Sequence, residues 1–150
     1  MNEVDRLVRA LTPENRAEIA FLDLQRLRHE NEGGGFQRTE PIYGVLNSLR
    51  YWENLVCRME ENEWAESSYM VYEYLNDLCV RDTVEDYLDA VRPALRARME
   101  RYVDRLDARF TALTRDDSGA EPARYWRPLA DGEEVRWWWT RRPVELPRGW

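Results

Sequence analysis

Apolar residues recur every three or four positions along the first 113 residues, and this spacing constrains the fold more than any other feature of the sequence. The pattern begins with Val4, Leu7, Val8 and Leu11. It is most regular in the segment that contains Ile42, Val45, Leu46, Leu49, Trp52, Val56 and Met59. Because each apolar stripe must be buried against another, we predict a mainly α protein in which four or five helices form a bundle.

Local signals predict where several helices begin or break. Thr12 followed by Pro13 is typical of a helix start, since threonine caps the first turn and proline suits its first position. Thr83 predicts a further start after a fourth helix over residues 65–80. Pro93 lies within the last apolar stripe and should kink or split that helix at Arg92.

The second predicted helix, residues 13–30, carries more apolar surface than a single neighbour covers. One apolar line consists of Ala17, Ala20, Phe21, Leu24 and Leu27, and a second line consists of Ile19 and Leu22. We therefore expect this helix to be covered on more than one face. Such a stripe can be buried within one chain or between two, so a homo-oligomer is compatible with the sequence.

The composition changes after residue 113. Residues 114–122 are predicted to form a polar linker between the bundle, residues 1–113, and a C-terminal segment, residues 123–150, which we call the aromatic tail. Asp131 and Gly132 are typical of a tight turn and lie between two aromatic runs, which predicts two short strands within residues 125–140. A lone hairpin is marginally stable in water, so we expect the tail, as a hairpin or in extended form, to dock on the bundle.

The aromatic tail holds five of the seven tryptophans, interleaved with arginines. In a strand, Trp137 and Trp139 would share one face and Trp138 would point to the other. Tryptophan beside arginine is typical of the residues that dominate protein interfaces. One interpretation therefore assigns partner binding to Trp126, Arg136, Trp138, Arg141 and Trp150. The other interpretation is that the indoles hold the tail onto the bundle.

The formal charge of −7 is unevenly distributed. Residues 53–89 hold eleven acidic side chains and two arginines, whereas residues 90–113 hold six arginines and three acids. An acidic surface favours a basic protein partner, and it disfavours nucleic acid, whose phosphates require cations. We assign this role to Glu60, Glu61, Glu63 and Glu66. Ion pairing within the chain, between the acidic segment and the basic helix that follows, is the alternative.

Several kinds of enzyme are excluded by the composition. All 22 basic residues are arginine, so no lysine can act as a base or form a Schiff base. His29 is the single histidine, which excludes sites that require two. Two carboxylate pairs, Glu60 with Glu63 and Asp86 with Asp89, resemble the ExxE and ExxD pairs of all-α nucleotide pyrophosphohydrolases. The resemblance implies a divalent cation held between facing helices.

We predict that this chain is a small acidic protein that binds a basic protein partner. It would act as an inhibitor of the immunity or antitoxin type and use no cofactor. The alternatives are the metal-dependent nucleotide hydrolase and a non-catalytic subunit of a larger assembly. No apolar run approaches the roughly 20 residues that cross a bilayer. The N-terminus lacks the basic start and apolar core of a signal peptide. We therefore expect a cytoplasmic protein with no membrane contact.

Overall fold

Helices dominate residues 2–150, which the computed structural model describes except for the side chains of Pro128 and Leu129. The longer ones are α1 (Glu3–Ala10), α2 (Pro13–Asn31), α3 (Val45–Glu60), α4 (Val71–Ala90) and α5 (Pro93–Leu113). Two strands, β1 (Thr114–Asp116) and β2 (Arg141–Pro143), pair antiparallel. Short helical turns complete the chain: 3₁₀ turns at Trp64–Glu66 and Trp137–Thr140, α6 (Ala120–Ala123) and α7 (Arg127–Ala130). The predicted class, a helical bundle with a C-terminal pair of strands, is confirmed.

Of the three helix boundaries that were predicted from threonine and proline, those at Thr12 and Pro93 are present and the one at Thr83 is not. The Thr12 hydroxyl accepts a hydrogen bond from the Asn15 N–H at 3.2 Å, which caps α2. Pro93 is the first residue of α5, so the long stripe is split into two helices at this proline. The start predicted at Thr83 is wrong, because α4 continues through it to Ala90. The Thr83 hydroxyl instead donates to the Cys79 carbonyl one turn back, at 3.2 Å.

The core consists of two adjoining clusters, with α3 packed against α1, α4 and α5. The first cluster joins α1 and the start of α3 to the end of α4 and the start of α5 through Val4, Leu7, Leu49, Val84, Leu88, Leu95 and Met99. The second joins α3, α4, α5 and the aromatic tail through Trp52, Val56, Tyr74, Leu78, Leu106, Phe110, Trp138 and Trp139. Within residues 2–150, no helix combines the length and the apolar character that crossing a membrane requires.

The two strands lie at other residues than those predicted. β1 follows α5 directly, with Thr114 opposite Pro143 and Asp116 opposite Arg141 in β2. Within the predicted hairpin, residues 127–130 and 137–140 are helical turns. The turn at Asp131 and Gly132 is present, and Gly132 has a φ of 77°. A strand would place Trp138 and Trp139 on opposite faces, whereas both indoles point to a single acceptor on α4, described below.

Helix α2 lies at the edge of the bundle, and its predicted coverage on more than one face is absent within the described chain. Asn15 and Ile19 are its buried residues. The line formed by Ala17, Ala20, Phe21 and Leu24 is exposed to solvent. One of the two apolar lines of α2 is therefore left without a partner among residues 2–150.

Candidate functional site

A buried arginine joins three helices beneath the aromatic tail. Arg81 in α4 is 3% exposed and donates to both carboxylate oxygens of Asp107 in α5, at 3.1 and 2.8 Å. It also donates to Glu85 at 2.8 Å. The Trp52 indole of α3 donates to the same Asp107 carboxylate at 2.9 Å. Fork-shaped pairing of this kind is among the strongest hydrogen-bonding arrangements of side chains.

The tail covers this network and is held by a second carboxylate. The Trp138 ring lies over the Arg81 guanidinium, with 4.1 Å between the ring centroid and Cζ. The indole N–H groups of Trp138 and Trp139 both donate to Asp82, at 2.9 and 3.0 Å. Burial raises the pKa of Asp82 above its ordinary value, while the two indole donors and nearby Arg136 act in the opposite direction. Asp82 therefore fixes both rings on the same side of the chain.

Beside this junction, a groove of about 420 Å³ runs between α4 and α5, and we call it the α4–α5 groove. Its charged lining consists of five carboxyl groups and two guanidinium groups: Glu85, Asp89, Glu100, Asp104, Asp107, Arg81 and Arg136. Trp137 and Trp138 also line it. Trp138 is 2% exposed, whereas Trp137 is 41% exposed.

Four of the five carboxyl groups in the α4–α5 groove already have a cationic partner. Glu85 and Asp107 pair with Arg81, and Asp89 and Glu100 pair with Arg96. Among the residues that the structure describes, the fifth group, Asp104, has no salt bridge or hydrogen bond. Partial burial and the negative charges of Asp107 and Glu100 raise the pKa of Asp104 above its ordinary value. A cation bound beside Asp104 would relieve this repulsion.

The aromatic tail residues predicted to bind a partner mostly make contacts within the chain. Trp126 packs edge-on against Trp139 with 3.7 Å between centroids, and Trp150 donates its indole N–H to Glu121 at 2.9 Å. Arg136 donates to Asp86 at 2.7 Å, and Arg141 donates to the Thr114 hydroxyl at 2.8 Å. Trp138 lies in the core. Its neighbour Trp137 is exposed.

The predicted acidic residues lie at the end of α3 and in the turn after it. Glu60 accepts two hydrogen bonds from Arg109, at 2.6 and 2.7 Å, and Glu66 pairs with Arg148. Glu61 and Glu63 are exposed, and they line a second groove of about 350 Å³ together with Glu66. The structure therefore brings Glu61, Glu63 and Glu66 together, and we call these three residues the acidic turn.

The four residues of the pyrophosphohydrolase resemblance do not meet. Helix α3 ends at Glu60, so Glu63 lies in the following turn and not one helical turn further along the same face. Asp86 pairs with Arg136, and Asp89 pairs with Arg96. Within residues 2–150, no three histidine, cysteine or acidic side chains are grouped as metal ligands.

Sequence reasoning missed the α4–α5 groove, although part of it was detectable. Glu100, Asp104 and Asp107 follow one another at spacings of four and three, which places them on one face of a helix. The net positive charge of residues 90–113 led us to describe this helix as basic, although its three acidic residues share one face. The pairing of Arg81 with Asp107 joins residues 26 positions apart and has no local signal.

Comparisons of the chain with protein-family models, with curated proteins and with solved structures find no match. Its function is therefore inferred from the chain's own residues. Two of them line the α4–α5 groove: Asp104, which has no cationic partner among the described residues, and Trp137, which is exposed.

Proposed function

We propose that this chain binds a basic segment of another protein in the α4–α5 groove and acts as an inhibitor of the immunity or antitoxin type by sequestering that partner. The observation that carries the proposal is the Asp104 carboxylate, which has no cationic partner among the described residues, on the same groove as the exposed ring of Trp137. An arginine of the partner would donate to Asp104 and stack against Trp137.

The chain contains an internal example of the same recognition. Arg81 donates to a carboxylate, Asp107, and stacks against an indole, Trp138. Asp104 lies three residues before Asp107, Trp137 lies one residue before Trp138, and both also line the α4–α5 groove. Among the described residues, no guanidinium is paired with Asp104 or stacked on Trp137, which supports an arginine supplied by the partner.

The surrounding charge supports a basic partner as well. The chain carries a net charge of −7, and Glu61 and Glu63 in the acidic turn are exposed. A negative field of this kind accelerates the approach of a positive protein more than it strengthens the final complex. We place this interaction in the cytoplasm, which suits the two cysteines, Cys57 and Cys79, since both are free thiols.

Removing the Asp104 charge and the Trp137 ring should abolish capture of the partner. The chain is used as bait in extract of its native cells, as wild type and as the Asp104→Asn/Trp137→Ala variant. We expect one stoichiometric protein, identified by mass spectrometry, with the wild type and its loss with the variant. For the purified pair, Asp104→Asn alone should weaken binding about tenfold, since a hydrogen bond to a charged group contributes about 1.5 kcal/mol or more.

The matched control is Glu133→Gln, which removes one exposed carboxylate elsewhere and should retain the partner. Circular dichroism of each bait checks that the helices remain. A partner that binds the double variant as well as the wild type would contradict the assignment to the groove. A wild-type bait that captures no protein would contradict the function itself.

We expect the acidic residues to attract the basic partner electrostatically and so to increase its association rate. Replacing Glu60, Glu61, Glu63 and Glu66 by glutamine should slow association with the captured partner about tenfold at low salt, and less at high salt. Stopped-flow measurements across ionic strengths test this. The control removes the same number of charges from exposed acids elsewhere, at Asp5, Glu32, Glu40 and Glu133. Equal slowing in both variants would show an effect of net charge alone and contradict a local steering surface.

A further inference from the structure

The outer face of α2 presents an uncovered line of apolar side chains. Phe21 is 60% exposed and Leu24 is 45% exposed, although both are large apolar residues of a regular helix. Ala17 lies one turn before Phe21 on the same face and is exposed too. The opposite face of α2 holds Asn15 and Ile19, which are buried against the bundle. The uncovered line is therefore additional to the surface that attaches α2 to its own chain.

A groove lies on each side of this line. One, of about 500 Å³, is lined by Ala17, Phe21, Leu22 and Ala90, together with Glu14, Glu18 and Arg92. The other, of about 460 Å³, includes Ala20, Leu24, Leu27 and Leu46 in its lining. A ridge of side chains between two grooves is the shape into which the ridge of a second helix packs.

Two opposite charges on this face lie at equal distances from Phe21. Glu14 lies seven residues before it, Arg28 lies seven residues after it, and both are exposed. Seven residues correspond to about two helical turns, or roughly 10.5 Å along the axis on each side. A second α2 running in the opposite direction, with Phe21 opposite Phe21, therefore brings Glu14 of each copy opposite Arg28 of the other. A parallel pair would place like charges opposite each other.

We propose that α2 is a self-association surface through which two copies of this chain form an antiparallel, two-fold symmetric dimer centred on Phe21. The two Phe21 rings meet at the axis, and the small side chain of Ala17 leaves room for the approach of the helices. The neighbouring side chains of each copy enter the grooves of the other. Two ion pairs between Glu14 and Arg28 fix the register and the antiparallel direction.

Sedimentation equilibrium of the full chain tests the contact. We expect a reversible dimer of the wild type and, for Phe21→Asp, a dissociation constant raised at least about 100-fold, as for a central aromatic residue of an interface. Because Phe21 is exposed in the monomer, circular dichroism should show unchanged helicity. The matched control is Phe36→Asp, since Phe36 is 83% exposed and lies outside α2. A wild type that is monomeric at every concentration, or a Phe21→Asp variant that dimerises like the wild type, would overturn the proposal.

Charge reversal tests the direction of the two helices. Glu14→Arg and Arg28→Glu each place like charges opposite one another twice, and each should weaken the dimer about tenfold. The combined Glu14→Arg/Arg28→Glu variant restores opposite charges at both places and should dimerise nearly as well as the wild type. Failure of the combined variant to recover would overturn the antiparallel register. Recovery distinguishes self-association from binding of a different protein, whose complementary charges the double exchange would not correct.

Discussion

Replacing Arg81 by alanine is expected to lower the free energy of unfolding by about 3–5 kcal/mol, the usual consequence of removing one partner of a buried ion pair. Asp107 would keep its carboxylate in the junction of α3, α4 and α5 but lose both of its guanidinium donors. The indole of Trp52 would remain as its one described donor. Trp138 would also lose the cation beneath its ring. Urea unfolding followed by circular dichroism measures the loss.

Two further variants separate the buried charge from a general effect of losing an arginine. Arg127→Ala removes a guanidinium whose side chain is 90% exposed and paired with Asp131, so it should leave stability almost unchanged. Arg81→Met/Asp107→Asn removes both charges and fills part of the volume, so it should be more stable than Arg81→Ala. A double variant less stable than Arg81→Ala would contradict the view that an unpaired Asp107 causes the loss.

The helices were predictable because their signals are local. Apolar spacing identified the stripes of α1, α3 and α5, and Pro93 indicated where α5 begins. The break predicted at Thr83 failed because a threonine that caps a helix and a threonine that bonds back to the preceding turn look alike in sequence. For α2, the predicted coverage on more than one face was wrong within the described chain, because apolar spacing does not say whether a line meets a neighbour in the same chain.

The aromatic tail was harder to predict because a distant residue determines its local structure. Alternation along a strand placed Trp138 on the exposed face, whereas the structure buries it and exposes Trp137. The cause is Asp82, 56 residues away, which accepts hydrogen bonds from the indoles of Trp138 and Trp139. Two consecutive side chains reach one acceptor in a helical turn but not in a strand. The contacts show that Trp138 and Trp139 hold the tail on the bundle, whereas Trp137 is left exposed.

Trp138→Ala is the second variant with a large expected effect, a loss of about 3–5 kcal/mol, as for other large aromatic residues removed from a core. Its side chain is 2% exposed, packs in the second core cluster and donates to Asp82. Alanine would leave a cavity above Arg81 and remove one of the bonds that hold the tail. Urea unfolding measures the effect, and tryptophan fluorescence follows the detachment of the tail.

The neighbouring tryptophan provides a control of identical chemistry. Trp137→Ala removes the same side chain one residue earlier, and it should cost less than about 1 kcal/mol because the ring is 41% exposed. Equal losses at the two positions would contradict the placement of the two rings, in which Trp138 is buried and Trp137 is exposed. If the losses differ as expected, Trp138 stabilises the fold from within the core, and Trp137 remains exposed in the α4–α5 groove for a partner. Stability would then report on Trp138 and binding on Trp137, so the two roles first weighed for the tail can be measured separately.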